Sequence, residues 1–394
     1  MDRAHFIRFA DRASVIYAAA FFCTIIATTF LADGIAIGAR GVVGGDFLAF
    51  FTAGKFALSG AAANAYDFVT FDAALKTAAP IEQIGMMWQY PPAMFFLVAP
   101  FALLPYKLAF ITWIVAGWSV LGWSLRRIGF SGATFRILLF SSLAVSILSY
   151  GQISAATAGL LFLAAYDPKG RWLVAGVAAG LLTLKPQLGL LLPFAFLAIG
   201  AWRTIAVACA TAIILHGLSF IAFGVDGWSA FLDAVLRFRD EIAGAAALTP
   251  PRGMTTVFGQ AKLAGLSGET AMHLQYAATA MLAAMTVIIW RRTSDPLARA
   301  AFLAAAAIIA APYAYGYEMV ALTLAGAWLA RMAQTPASPL GAMLIAIWAI
   351  VAIRPFVGEL ATINTAFLIS VCALALTTIS ILRPQMIDRA AAHA

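Results

Sequence analysis

An all-α polytopic membrane protein is the fold class this sequence predicts, and three observations predict it. Of 394 residues, 63% are hydrophobic and 11% charged, where a soluble domain carries roughly a quarter charged residues. Apolar runs of about 20 residues, enough helix to cross ~30 Å of hydrocarbon at ~1.5 Å per residue, recur to the C-terminus. Lys and Arg cluster in alternate breaks between those runs, as the positive-inside rule requires. The reading is one membrane domain over residues 1–394 with about 10–12 transmembrane helices. No tandem soluble domain, heptad array or low-complexity linker interrupts it.

The elements follow in chain order. The run Ser14 to Leu31 follows Arg3, Arg8 and Arg12 and is longer than a signal-peptide core, so it reads as an uncleaved first helix with a cytoplasmic N-terminus. Residues 33–92 form a first external loop too long to be a turn, with an amphipathic stretch from Asp46 to Leu58 expected to lie in the membrane interface. Cytoplasmic turns fall at Arg126 to Arg136, Asp167 to Arg171, Trp202-Arg203, Arg291 to Arg299, Arg331 to Pro339 and Arg383 onward. Residues 224–269 form a second long external loop, opening with a helical spacing of Trp228, Phe231, Leu232, Val235 and Leu236. On this topology 15 of the 25 Lys and Arg lie inside and 10 outside, while 5 of the 17 acids lie inside and 12 outside. The net charge of +8 is therefore an orientation signal, and no nucleic-acid partner is expected. Gly176 and Gly180 form a GxxxG suited to close helix contact.

Several chemistries find no support. Cys23, Cys209 and Cys372 and the four histidines are too scattered for a disulfide framework or a metal site. There is no Walker A sequence, nucleotide-type GxGxxG, HExxH or Asp-x-Asp pair. What remains is a set of polar side chains interrupting apolar sequence on the external side: Asp46, Lys55, Gln152, Lys185, Gln187, Arg252 and Glu318. An ionised group at membrane depth costs ~2.5–3.5 kcal/mol on insertion scales, so each needs a partner or a wet cavity.

Each also has a plain structural explanation. Asp46 is placed to cap the helix beginning at Phe47. Lys55 and Lys185 can snorkel to headgroups, although Lys185 precedes Pro186, a step that pushes it out of helical geometry. Gln152 suits a polar turn and Arg252 a solvated loop, though a guanidinium is also the best fork for phosphate. Tyr90, Tyr313, Tyr315 and Tyr317 suit an interfacial aromatic belt, and Glu318 suits a helix N-terminus.

The ordered set "GGDFLAFFTAGKFALSG", "AYDFVTFDAAL", "QYPPAMFFLVAPFALLP", "YGQIS", "LKPQLGLLLPF" and "PYAYGYEMVAL" resembles glycosyltransferase family 87, polyprenyl-phosphate-dependent membrane mannosyltransferases of the GT-C architecture. The resemblance implies a GT-C-type fold, inverting transfer of a hexose, mannose above all, from a polyprenyl-phosphate donor, and an extracytoplasmic site with Asp46 at the position of the catalytic acid of the first external loop. Lys185, Arg252 and Lys55 become candidates for the donor phosphate. Glu318, which stands where family members often have Asp, joins Gln152, Gln187, Tyr90 and Tyr313 as candidates for orienting sugar or acceptor. No cofactor beyond the lipid-linked donor and no metal is expected. The implied partners are membrane lipids, that donor, and a glycolipid or glycan acceptor. The implied setting is a bacterial inner (plasma) membrane, with both termini cytoplasmic and the site facing the periplasm or exterior. A transporter or flippase for a lipid-linked or anionic substrate is the alternative, which broken helices with midplane charges would favour. A noncatalytic assembly factor is a third reading if Asp46 is only a cap.

Overall fold

A computed structural model describes residues 3–32, 34–37, 41–79, 86–145, 148, 150–243, 253–333, 338–357 and 365–383. The chain is an all-α membrane protein. Among the described residues, five helices are long and apolar enough to cross a bilayer: Ala4–Leu31, Tyr106–Arg127, Trp202–Phe238, Gly268–Arg292 and Thr365–Leu382. Six shorter apolar helices accompany them: Phe47–Leu58, Ser154–Ala165, Trp172–Leu184, Pro186–Ile199, Pro296–Ala310 and Leu340–Val351. A 13-residue helix rises only about 20 Å, so much of the expected count rests on helices shorter than a full span. The one departure from α structure among the described strands is a two-residue antiparallel pair, Ala36–Ile37 with Gly41–Val42.

Pro296–Ala310 forms the centre. Its sequence PLARAAFLAAAAIIA is mostly alanine, and twelve of its residues are buried. Small side chains let neighbouring helices approach closely where the hydrophobic effect gives little drive between them, and Ser154–Ala165, Gly268–Arg292, Leu322–Met332 and Thr365–Leu382 all pack around it. Asp295 caps it by accepting from the Leu297 and Ala298 N–H groups at 2.9 and 3.1 Å, with Pro296 in the first turn. The GxxxG works as a contact face. A Cβ at Gly176 would lie 2.6 Å from Val207 Cβ, and one at Gly180 2.5 Å from Thr211 Cβ.

Two features of the loops differ from, or sharpen, the sequence reading. The Phe47–Leu58 helix is packed inside the protein, with seven residues buried. A Cβ at Gly54 would lie 2.8 Å from the Val98 carbonyl oxygen of the Met94–Ala102 helix, so a glycine there lets two short helices touch. The helical stretch Trp202–Ala243 breaks at Gly224, whose φ of 64° and ψ of −171° are not helical. The second long loop thus begins with a helix that turns away from the apolar span before it.

Side-chain contacts sort the topology into two ends. Arg136 grips Asp11 through two bonds of 2.8 and 2.6 Å. Arg331 reaches Asp295 at 2.9 Å, and Thr204 donates to the Pro168 carbonyl. All six residues belong to the set assigned to the cytoplasmic side or adjoin it. From the set assigned outside, Lys107 donates to the Ala32 carbonyl, Tyr106 to the Val43 carbonyl at 2.7 Å, and Arg237 to the Tyr66 carbonyl.

Candidate active site

The site is assembled from two glycine turns that interlock. Gly44 and Gly45 both adopt positive φ, 80° and 51°, turning the chain into Asp46. Gly151 (φ 64°) faces them so closely that a Cβ there would lie 2.0 Å from the Gly44 carbonyl oxygen. Only glycine permits that approach. The Asp46 N–H then donates to the Tyr150 carbonyl at 3.0 Å, and the Trp113 indole donates to the Gly151 carbonyl at 3.0 Å. The aromatic run after Asp46 locks the arrangement. Phe47 packs against Tyr106, Phe110 and Trp113, and Phe50 against Trp88, Tyr90 and Trp113.

Asp46 occupies the cap position of Phe47–Leu58, yet its side chain makes no cap hydrogen bond. Its carboxylate instead accepts from Gln152 Nε2 at 2.5 Å. Gln152 Oε1 in turn accepts from the Tyr90 hydroxyl at 3.3 Å, which fixes the orientation of the amide. Tyr66 holds Tyr90 by donating to its carbonyl at 2.8 Å. Asp46, Gln152 and Tyr90 each keep part of their surface exposed. Burial pushes the Asp46 carboxyl above its ordinary range, opposed by the Gln152 hydrogen bond and the Lys185 charge. Burial also pushes the Tyr90 phenol up to about 12, so at neutral pH it is a neutral donor.

Beneath this chain lies a buried ion pair, Lys185 with Glu318, 3% and 2% exposed. Lys185 has φ −137° and ψ 70°, outside helical geometry as a residue before proline is expected to be, and separates Trp172–Leu184 from Pro186–Ile199. The ammonium is therefore held inside the protein and does not snorkel outward. Glu318 lies in the 3₁₀ segment Gly316–Ala321, and its second carboxylate oxygen is buried with no hydrogen-bond partner among the described residues. Tyr317 covers the pair, its ring 5.1 Å from Lys185 Nζ and its edge against Tyr150. A mostly apolar cavity of about 90 Å³ borders Gln152, walled by Leu97, Phe101, Trp113 and Ile114.

The other candidates are placed as follows. Gln187, half-buried, lies two residues past Lys185 in the short helix Pro186–Gly189. Lys55 lies on the exposed face of its helix, over the Phe51 ring at 5.3 Å, and does not join Asp46. Tyr313 belongs to a separate apolar cluster with Phe238 and Phe258. Arg252 lies outside the described residues, although the chain just after it is tied to the Glu318 segment by the Met254–Tyr315 bridge and the Thr255 N–H to Ala314 carbonyl bond. Sequence reasoning missed Tyr317 and Tyr150 as walls of the site. Their signal was adjacency to Glu318 and Gln152, masked by the frequency of tyrosine at membrane interfaces. Among the described residues no group of His, Cys, Asp and Glu is placed to hold a metal ion.

The family model for glycosyltransferase family 87 matches residues 88–314, more than half of the chain. The chain belongs to glycosyltransferase family 87. The match includes Tyr90, Gln152 and Lys185; Glu318 lies just past its end and Asp46 well before its start, and both are joined to it by the contacts above. Neither a curated protein nor a solved structure matches the chain. Family-87 membership makes the protein a membrane glycosyltransferase.

Proposed function

We propose that this glycosyltransferase moves a hexose, mannose above all, from a polyprenyl-phosphate donor to a hydroxyl of a lipid or glycan acceptor with inversion, Asp46 acting as general base. The observation that carries the reading is the freedom of the Asp46 carboxylate: it is released from helix capping, on a residue that keeps part of its surface exposed, and oriented by Gln152. A carboxylate so held can take the acceptor proton as the acceptor oxygen bonds to the anomeric carbon. The bond from that carbon to the phosphate oxygen breaks, and polyprenyl phosphate leaves with the electron pair.

Charge grows on the leaving phosphate, and a fixed cation stabilises it without reorganising. Lys185 supplies that field from below the site, and a donor phosphate in contact with it would share the ammonium with Glu318. Arg252 is the second candidate cation. The apolar cavity beside Gln152 suits the first isoprene units of the donor. Gln152, Gln187, Tyr90 and Glu318 are the groups available to orient sugar or acceptor. The contacts fall into two ends, and the bias of Lys and Arg is what supports assigning the site to the extracytoplasmic face of a bacterial plasma membrane, with cytoplasmic termini.

Purified protein incubated with polyprenyl-phosphate sugars and a lipid extract should release polyprenyl phosphate, fastest with the mannose donor, and Asp46→Asn should stop the release. Release from none of the donors, or full activity of Asp46→Asn, overturns the assignment.

A further inference from the structure

The Tyr106–Arg127 helix links the candidate site to a second feature. Its first residue bonds to Val43 beside the Asp46 turn, and its last two, Arg126 and Arg127, line a cavity of about 590 Å³ together with Arg171, Trp172 and Leu173. Twenty-two residues rise about 33 Å, so this cavity lies a full membrane thickness from Asp46.

Three guanidiniums meet there, and none is within ion-pair distance of a carboxylate among the described residues. They do not wave freely. Arg126 stacks on the Phe135 ring at 3.9 Å and Arg127 lies over Trp123 at 5.9 Å. Arg171 lies over Tyr166 at 5.5 Å and donates to the Arg127 carbonyl. Arginines serving only as an orientation signal need no such fixing and no shared cavity. Three like charges held together repel one another until an anion joins them, and planar guanidiniums present paired donors that match phosphate oxygens.

We propose that this cavity binds the phosphate headgroup of an anionic membrane phospholipid. A lipid is favoured over a soluble anion by the lining residues Trp172 and Leu173, 37% and 54% exposed, and by Trp123 under Arg127, 52% exposed, an apolar and aromatic surface that acyl chains would cover. The site is independent of the transfer reaction, and its occupant is a structural lipid and not the sugar donor.

The test uses full-length protein in an uncharged detergent, with native mass spectrometry counting bound lipid. Phosphatidylglycerol should bind about tenfold more tightly than phosphatidylcholine, and inorganic phosphate at equal concentration should not displace it. Arg126→Gln/Arg171→Gln should lose that preference. Arg292→Gln, which removes an exposed arginine outside the cavity, should keep it. Arg126→Lys/Arg171→Lys, which preserves charge but not the fork, should fall between. Equal binding of the two lipids, an unchanged preference in the double Gln variant, an equal loss in Arg292→Gln, or displacement by inorganic phosphate would each overturn the proposal.

Discussion

Two sets of charged residues in this protein treat the same chemistry oppositely. At one end, Asp11 with Arg136 and Asp295 with Arg331 form ion pairs whose arginines are about half exposed. At the other, Lys185 and Glu318 are almost wholly covered, and Asp46 sits beside them under enough protein to resist ionisation. Exposed pairs cost little to form and contribute little, because water competes for both partners. Burying the same groups costs several kcal/mol each before any partner is found. A chain that does so while apolar residues would pack there more cheaply is keeping those charges for use. The exposed pairs fit a role in orientation, and the covered groups are where we propose the chemistry.

The sharpest way to break that contrast is Asp46→Asn. Turnover should fall by ~10²–10⁴-fold, the usual contribution of a general base. Thermal stability should hold or rise. The sign follows from the raised pKa: above its ordinary value near 3.8, the folded state holds the proton more tightly than the unfolded chain, so stability declines as pH climbs through the window up to the raised value. At neutral pH the carboxylate is a net cost that asparagine removes. A large loss of stability in Asp46→Asn would make the residue structural and dissolve the distinction.

Next in size is Lys185→Met. Breaking a buried pair leaves Glu318 uncompensated, a loss of about 3–5 kcal/mol, and the midpoint of thermal unfolding in detergent should drop accordingly. Lys185→Met/Glu318→Leu should recover most of that stability while donor turnover stays low. If the double variant regains activity along with stability, the pair is scaffolding alone.

Much of this was legible in the sequence, and the reason is energetic. Asp46, Gln152, Lys185 and Glu318 stand out because polar side chains inside apolar runs are expensive, and the structure brings these four together. Who would partner whom was not legible. Gln152 lies 106 residues from Asp46 in the chain, and no local periodicity connects them. Asp46 looked like a cap because its position is a cap position; only the interlocked turns at Gly44 and Gly151 aim its carboxylate elsewhere. Lys55 shares a helix with the site but faces outward, since which side of Phe47–Leu58 is buried depends on the Met94–Ala102 helix against Gly54. The sequence marked this stretch as one-sided, but apolar composition does not distinguish lipid from protein as the neighbour, and its buried face packs on protein.

A smaller and more diagnostic effect should come from Gln152→Leu. Its hydrogen bond is the larger of the two influences that hold the Asp46 pKa down against burial, ahead of the Lys185 charge. Without that bond the acidic limb of the kcat/KM profile should move to higher pH, with a loss of about tenfold at neutral pH and partial recovery in alkali. Tyr90→Phe, which frees the Gln152 amide and removes the hydroxyl beside Lys185, should show the same shift in milder form. A uniform loss with no movement of the limb would mean that Gln152 contacts substrate and does not tune the base.

The smallest effect belongs to the other set. Arg136→Gln removes both bonds to Asp11, while the first helix still packs against the Gly132–Leu139 helix. The pair is solvent-facing, so water takes over both groups and salt already screens their attraction. Turnover and its pH profile should match the parent protein, and the unfolding midpoint should move by no more than its measurement error. The pair's remaining role is positional, because it links two segments that the charge bias assigns to the same side. If Arg136→Gln inverted the topology, as a cysteine-accessibility map of the loops would reveal, the exposed end would carry more than docking. If it altered kcat instead, the two ends would be coupled through the helix bundle, and the division between them would have to be redrawn.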